Sequence, residues 1–410
     1  MISISKTFLL LAIVLLPFNY VNVIYNFSLS DLFFSVAFIF AISYQINHRI
    51  SIKYLLNNND FLFPLLIYST GFFVSVHFAF SPIDSLLSFF QIIFIFIVIY
   101  YALFLQTFSE KYIKRLLYVL SVTSGLITLG IFLFFITGKD YSYGLLLVEQ
   151  GWGMIRFSYG EMEPNVTARI MAQSIPILIF ITIAKKGLVI KIFNIIIITL
   201  LLAVIILTAS RSGFLTLLVG LFSFIIFYYK YSQKYNLFNT IFYAMCFVFI
   251  LFFAYNSFPE FFENSIERYS TIFDASRSAS SQERLLVLNK SFELINHSPN
   301  IGYGLSNSQN ITGIAVHNSI VISWLENGIL GFLGYMMLYM IIIYYIIVGY
   351  NNNFHNNGAL MVLAVISIMM ITGDMFMANS YKRSLWVPAI LFVTYSKQLL
   401  NNRTTIDEAV

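Results

Sequence analysis

The chain has 410 residues, of which 59% are hydrophobic and only 10% charged, and its mean hydropathy is +0.83. That composition excludes a soluble globular protein and defines an integral membrane protein. The formal net charge of +5 says little by itself, and no compact basic stretch with interleaved aromatics marks a nucleic-acid partner.

Apolar runs near the roughly 20 residues that cross about 30 Å of hydrocarbon recur from end to end. Barrel strands would be half that length and alternating, so the expected fold is all-α. A polytopic membrane protein with about 12 transmembrane helices is predicted, as one transmembrane domain over 1–410. The spans are expected near 7–25, 28–46, 61–80, 85–105, 115–137, 165–184, 188–208, 211–229, 236–257, 317–349, 357–378 and 384–400. The start of the chain, "MISISKTFLLLAIVLLPFNY", has Lys6 and an apolar core without a small-residue cleavage site, and reads as a retained first helix. Cys246, inside the 236–257 run, is the only cysteine, which excludes an intrachain disulfide and a cysteine-based metal site.

Charge placement supports the count. With a cytoplasmic N-terminus, thirteen of the 23 Lys and Arg residues fall on the cytoplasmic side: Lys6, Arg49, Lys53, Lys111, Lys114, Arg115, Lys185, Lys186, Lys191, Lys230, Lys234, Lys397 and Arg403. Both termini should then be cytoplasmic. Two outside segments exceed a turn, 138–164 and the large loop 258–316. In "SSQERLLVLNKSFELINHSPN", Ser280 and Glu283 have capping-box spacing. Leu285, Leu288, Phe292 and Ile295 recur at helical intervals, and Pro299 lies just beyond. An amphipathic helix near 281–297 is predicted, on the outer membrane face or against the bundle.

Several outside cations sit where charge is expensive. Arg211, in "LTASRSGFLTLL", stands where two spans meet, and at the bilayer centre it would cost roughly 2.5–3.5 kcal/mol. At the rim it adds its charge to the positive end of the next helix, where the Ser210 and Ser212 hydroxyls complete a phosphate site. The alternative is an arginine that snorkels to headgroups. Arg284 heads the amphipathic helix with the same two readings, and Arg169 lies about one turn into a helix begun by Pro164. Each can grip phosphate oxygens bidentately; Arg156, Lys382 and Arg383 are weaker candidates.

The stretch "VHNSIVISWLENGILGFLG" places His317, Trp324, Gly328 and Gly331 within about 40° of one line on a helix, with Glu326 opposite. Small residues on that face imply close packing against protein. A neutral imidazole at its end can take a proton from a hydroxyl, and the alternative is a hydrogen-bonded structural histidine. The five histidines are scattered, without metal-ligand spacing, and no phosphate-binding loop or dinucleotide fingerprint occurs, so neither metal nor cofactor is expected.

In this order, "SRSGFL", "ERLLVLNKSFELINHSPNIGYGLSN" and "HNSIVISWLENGILGFLG" resemble the O-antigen polymerase and O-antigen ligase superfamily of bacterial surface polysaccharide assembly. His317, Asn318, nine residues, then Gly328-x-x-Gly331 fits the family's pattern. So do Arg211 with Leu215, and Arg284 followed by Pro299 and Gly302-x-Gly304. The resemblance implies an inner-membrane, metal-independent glycosyltransferase whose site, and whose large loop, face the periplasm. Its donor would be an oligosaccharide on undecaprenyl diphosphate and its acceptor a sugar hydroxyl. For a polymerase the acceptor is the next lipid-linked repeat, for a ligase the lipid A core; the reading adopted is polymerase, with ligase as alternative. His317 and Asn318 would be the catalytic residues, and Arg211, Arg284 and Arg169 the diphosphate-binding ones, with membrane lipid and a chain-length regulator protein as further partners. A polysaccharide flippase or secondary transporter is the alternative from another class. It would show paired halves and mid-membrane acids, and here Asp31 and Glu326 are the main intramembrane acids.

Overall fold

The computed structural model describes residues 2–18, 22–24, 27–48, 52–137, 146–151, 154–159, 163–185, 187–232, 279–352, 354–377 and 382–407. The expected span at 236–257, with Cys246, and the loop up to residue 278 lie outside them.

The chain is helical, as the apolar periodicity requires. In order come α1 (Ile2–Leu15), α2 (Leu29–Asn47), α3 (Ile52–Asn57), α4 (Leu62–Ser75), α5 (Pro82–Ile93), α6 (Tyr100–Phe104), α7 (Glu110–Thr137), α8 (Pro164–Ala184), α9 (Leu188–Leu207) and α10 (Arg211–Tyr231). After the undescribed segment follow α11 (Ala279–His297), α12 (Ser308–Thr312), α13 (Ser319–Asn352), α14 (Gly358–Asp374) and α15 (Arg383–Asp407). Among the described residues, seven helical stretches are long and apolar enough to span a membrane, and Ile2–Phe18, Leu62–Phe78 and Gly358–Asp374 are shorter apolar helices. One of the seven, Pro82–Phe104, joins α5 to α6 through a π-helical stretch, Phe94–Ile99. Among the described residues, the strands form two antiparallel ribbons, Asn22–Ile24 with Phe27–Ser28 and Leu146–Gly151 with Met154–Tyr159.

Helix starts follow from local chemistry. Ser28 and Asp31 form a capping box on α2, Pro164 occupies the first turn of α8, and Asn357 caps α14 by accepting from Leu360 N at 3.0 Å. α8 and α14 are apolar on nearly every side and buried on nearly every side, which makes them the centre of the bundle. α10 and α15 pack on α14, and α7 and α9 on α8.

Without a hydrophobic drive between helices in lipid, packing relies on small residues and interhelical hydrogen bonds. One close crossing is that of α4 with α13. A Cβ on Gly71 would lie 2.6 Å from Gly331 N, and one on Gly334 would lie 2.6 Å from Tyr68 N. Asn327 spans the crossing, donating to Tyr68 OH at 2.9 Å and accepting from Ser75 Oγ at 3.2 Å.

The bundle has two distinct polar ends. At one, Tyr112 OH donates to Lys6 O at 2.8 Å, Lys397 Nζ meets Asp60 Oδ1 at 2.7 Å, and Asn357 Nδ2 meets Tyr395 OH at 2.6 Å. At the other, Arg383 Nε pairs with Asp31 Oδ1 at 2.7 Å, Ser210 Oγ donates to Asn165 Oδ1 at 2.7 Å, and Ser319 Oγ donates to Met377 O at 2.6 Å. The second end holds every described candidate site residue.

Candidate functional site

Two helix N-termini found the site. The chain leaves α9 through Ala209, whose φ of 47° is left-handed, and Ser210 then caps α10, its Oγ accepting from Gly213 N at 3.1 Å. The same hydroxyl donates to Asn165 on the first turn of α8. A Cβ on Gly213 would lie 2.3 Å from Ala168 Cβ, so α8 and α10 touch here. Arg169 and Arg211 are thereby brought to adjoining positive helix ends.

Arg211 Nη1 donates to Ser281 Oγ at 2.5 Å, which ties α10 to the first turn of α11. Arg284, half-buried, lies one turn further along α11. The apolar pattern of α11 does not coincide with its buried face. Val287, Ser291 and Ile295 are buried, with Val287 and Ile295 packing on Val321, Ile322 and Leu325 of α13, whereas Leu285 and Phe292 are exposed. The helix begins at Ala279, so Ser280 lies inside it and is not its cap.

Arg169 is 1% exposed, and none of its three guanidinium nitrogens has a hydrogen-bond acceptor. Its side chain lies against Gly373, where a Cβ would be 2.7 Å from Nη1. The next residue, Asp374, is fully buried and accepts from Tyr339 OH at 2.7 Å and Tyr335 OH at 3.3 Å. Asp374 and Glu163 act favourably on the Arg169 charge, and Arg284 opposes it.

His317 is half-buried in the turn before α13. Burial first, then the positive charges of Arg284 and Arg169, push its imidazole down to about 4. It is therefore neutral at physiological pH, as a proton acceptor must be. Burial also lowers Lys382, against the opposing effect of Glu163. His317, Arg284 and Arg169 form one electrostatic group, joined to Arg211 through α11.

Two sequence expectations are corrected. His317 is not on a helical face with Trp324, Gly328 and Gly331: α13 begins at Ser319, and Gly328, with φ 63° and ψ −166°, breaks it. Arg383, a weaker phosphate candidate, is taken by Asp31. Glu326, expected as a buried partner for another helix, is one: its Oε1 accepts from Ser308 N, the first residue of α12, at 3.0 Å. Asn318 has a local duty as well, because its Oδ1 accepts from Ile320 N and Val321 N, both at 3.0 Å, and so caps α13. Arg156 lies on a strand opposite Glu149.

The glycine motifs build the support. Gly302 and Gly304, with φ of 77° and 89°, carry a loop into the break of α13. There Tyr303 N donates to Leu325 O at 3.0 Å and Gly304 N to Glu326 O at 2.8 Å. A Cβ on Gly328 would lie 2.2 Å from Asn300 O, and one on Gly302 would lie 2.5 Å from Gly328 N. Trp324 Nε1 closes the joint on Pro299 O at 3.0 Å. These glycines fix the joint between the loop and α13, the helix that His317 precedes.

Asp374, Glu163, Asn165 and Ser281 do not stand out in the sequence. An acid closing an apolar helix, "ITGDMF", facing tyrosines four apart on α13, was the signal for Asp374. Among the described residues, no group of three or more His, Cys, Asp or Glu side chains could hold a metal ion.

A helical bundle with seven described spans, whose arginines and one neutral histidine lie at a single polar end, belongs to the class of polytopic membrane proteins. Residues 196–336 match the family model described as O-antigen ligase. This segment contains Arg211, Arg284, His317, Gly328 and Gly331, and the match supports the O-antigen polymerase and ligase superfamily and, with it, glycosyltransferase activity of the polymerase or ligase kind. Arg169 and Asp374 lie outside the matched segment. No curated protein matches the chain.

Proposed function

We propose that the protein is a polysaccharide polymerase of the bacterial inner membrane, with both termini cytoplasmic and the site end, including the 258–316 loop, facing the periplasm. It transfers glycan from undecaprenyl diphosphate to a sugar hydroxyl of the next lipid-linked repeat. The observation that carries this reading is the grouping of a neutral His317 with Arg284 and Arg169 beside two helix N-termini, within or next to the matched segment.

His317 takes the acceptor proton as the acceptor oxygen attacks the anomeric carbon of the donor. The bond from that carbon to the diphosphate oxygen breaks, and its electron pair leaves with the polyprenyl diphosphate. Arg169, Arg284 and Arg211 meet the charge that develops there, as fixed donors in a partly dry site. Donor binding also aids the base, because the diphosphate offsets the two arginine charges that depress His317. Asn318 holds the first turn of α13 and so the direction of its neighbour. No step calls for a metal ion.

Ligase activity towards lipid A core is the second reading, favoured by the description of the matching family. Purified protein incubated with its undecaprenyl-diphosphate repeat unit, with and without lipid A core, separates the two. A ladder from the repeat unit alone supports polymerase, product only with core supports ligase, and no transfer by folded protein with verified substrate overturns both.

A further inference from the structure

The diphosphate site proposed above leaves one arrangement unexplained. Arg169 is a cation 1% exposed, and its three guanidinium nitrogens have no hydrogen-bond acceptor. A charge taken out of water without compensation is among the most unfavourable arrangements a protein holds. Its surroundings show what keeps it there. The side chain lies over Gly373, the one α14 position where any Cβ would strike the guanidinium, at 2.7 Å from Nη1. The carboxylate of the next residue, Asp374, is fully buried and accepts from the hydroxyls of Tyr339 at 2.7 Å and Tyr335 at 3.3 Å. Asp374 is the largest favourable charge acting on Arg169. The two tyrosine hydroxyls donate to the carboxylate while Arg169 keeps its own donors unused.

We propose that Asp374 is a positioning residue: it is the resident counter-ion of Arg169, standing in electrostatically for the donor diphosphate while the site is empty. The tyrosines hold Asp374 back from a direct ion pair, so that the five N–H donors of Arg169 stay available to an entering diphosphate. Once the diphosphate arrives, it supplies the hydrogen bonds that Asp374 does not, and the Asp374 charge then opposes it. The counter-ion therefore trades donor affinity for stability of the empty protein, and it favours release of the polyprenyl diphosphate product. The inference rests on the diphosphate reading of the site.

The test combines thermal unfolding of the full-length protein in detergent with inorganic pyrophosphate as probe, on Asp374→Asn, Arg169→Met and the double variant. Asp374→Asn should unfold at lower temperature than the unaltered protein yet bind pyrophosphate more tightly, by roughly three- to tenfold, since a repelling charge has gone. Arg169→Met should weaken pyrophosphate by roughly tenfold or more. The double variant should unfold at a higher temperature than the two single losses sum to, because neither charge is then left alone. A merely structural Asp374 would lower the unfolding temperature without tightening pyrophosphate, and that result overturns the proposal, as does additive behaviour of the two substitutions. Failure of the unaltered protein to bind pyrophosphate at millimolar concentration would instead overturn the diphosphate reading beneath it. Should Asp374→Asn not fold, Tyr339→Phe removes one tether on the carboxylate. It lets Asp374 close on Arg169, and must then weaken pyrophosphate binding; unchanged binding counts against the proposal.

Discussion

Replacing Gly328 by alanine tests the joint that sets the course of α13, the helix that follows His317. Its φ of 63° and ψ of −166° lie in a region open essentially to glycine alone, and forcing another residue into it costs about 1–3 kcal/mol. A new Cβ would also stand 2.2 Å from Asn300 O and 2.8 Å from Ile301 C, so the loop must move, at about 1–3 kcal/mol more. The expected destabilisation is therefore about 2–6 kcal/mol. Gly313→Ala is the matched control, since Gly313 also has a left-handed φ of 84° but nothing within 4 Å, and should cost only about 1–2 kcal/mol. Unfolding in detergent followed by tryptophan fluorescence suits the comparison, because Trp324 donates to Pro299 O in the displaced loop. Gly328→Ala should shift that emission and abolish glycan transfer, while Gly313→Ala should do neither. Equal stability of the two variants, with unchanged Trp324 emission, would refute the backbone role given to the glycine motif.

Four further outcomes are expected. The acidic limb of kcat/KM should lie near pH 4, where free His317 takes a proton and ceases to be a base, and Arg284→Met should move the limb upward. Because His317 is depressed to about 4 in the folded protein from its ordinary value of 6.5, the unfolded chain binds more protons between these values. Stability should therefore fall as pH drops through that window, by at most ~1.4 kcal/mol per unit, and level off below it; His317→Gln should remove the dependence. Ser281→Ala separates two roles of Arg211: a small loss of transfer beside a large loss in Arg211→Met marks direct action on the diphosphate, whereas equal losses mark bracing of α11. Asp31→Asn should destabilise by about 3–5 kcal/mol by stranding the buried Arg383, and adding Arg383→Met should recover most of it in thermal unfolding.

Much of the fold is legible in the sequence because spanning a bilayer imposes one length and one composition. The described helices α4, α8, α9 and α10 begin and end within a few residues of the apolar runs. What escapes is rotation. Uniform winding of 317–349 misplaces His317 because a helix cannot start before its cap, and Asn318 is that cap. It misplaces the residues after Gly328 because one glycine resets the phase. On α11 the stripe of Leu285, Leu288, Phe292 and Ile295 names an apolar face, yet the neighbour covers Val287, Ser291 and Ile295. Within the site, Arg211 and Arg284 are legible from position beside helix starts. Asp374 is not, since its meaning depends on tyrosines of another helix and on a glycine that admits Arg169.

The most direct measurement is single-turnover transfer from labelled undecaprenyl-diphosphate repeat unit by the purified protein and by His317→Ala, with donor binding recorded alongside. Loss of an acceptor base should slow transfer by roughly 10²–10⁴-fold while donor affinity stays within a few-fold. Near-normal transfer by His317→Ala would contradict the account.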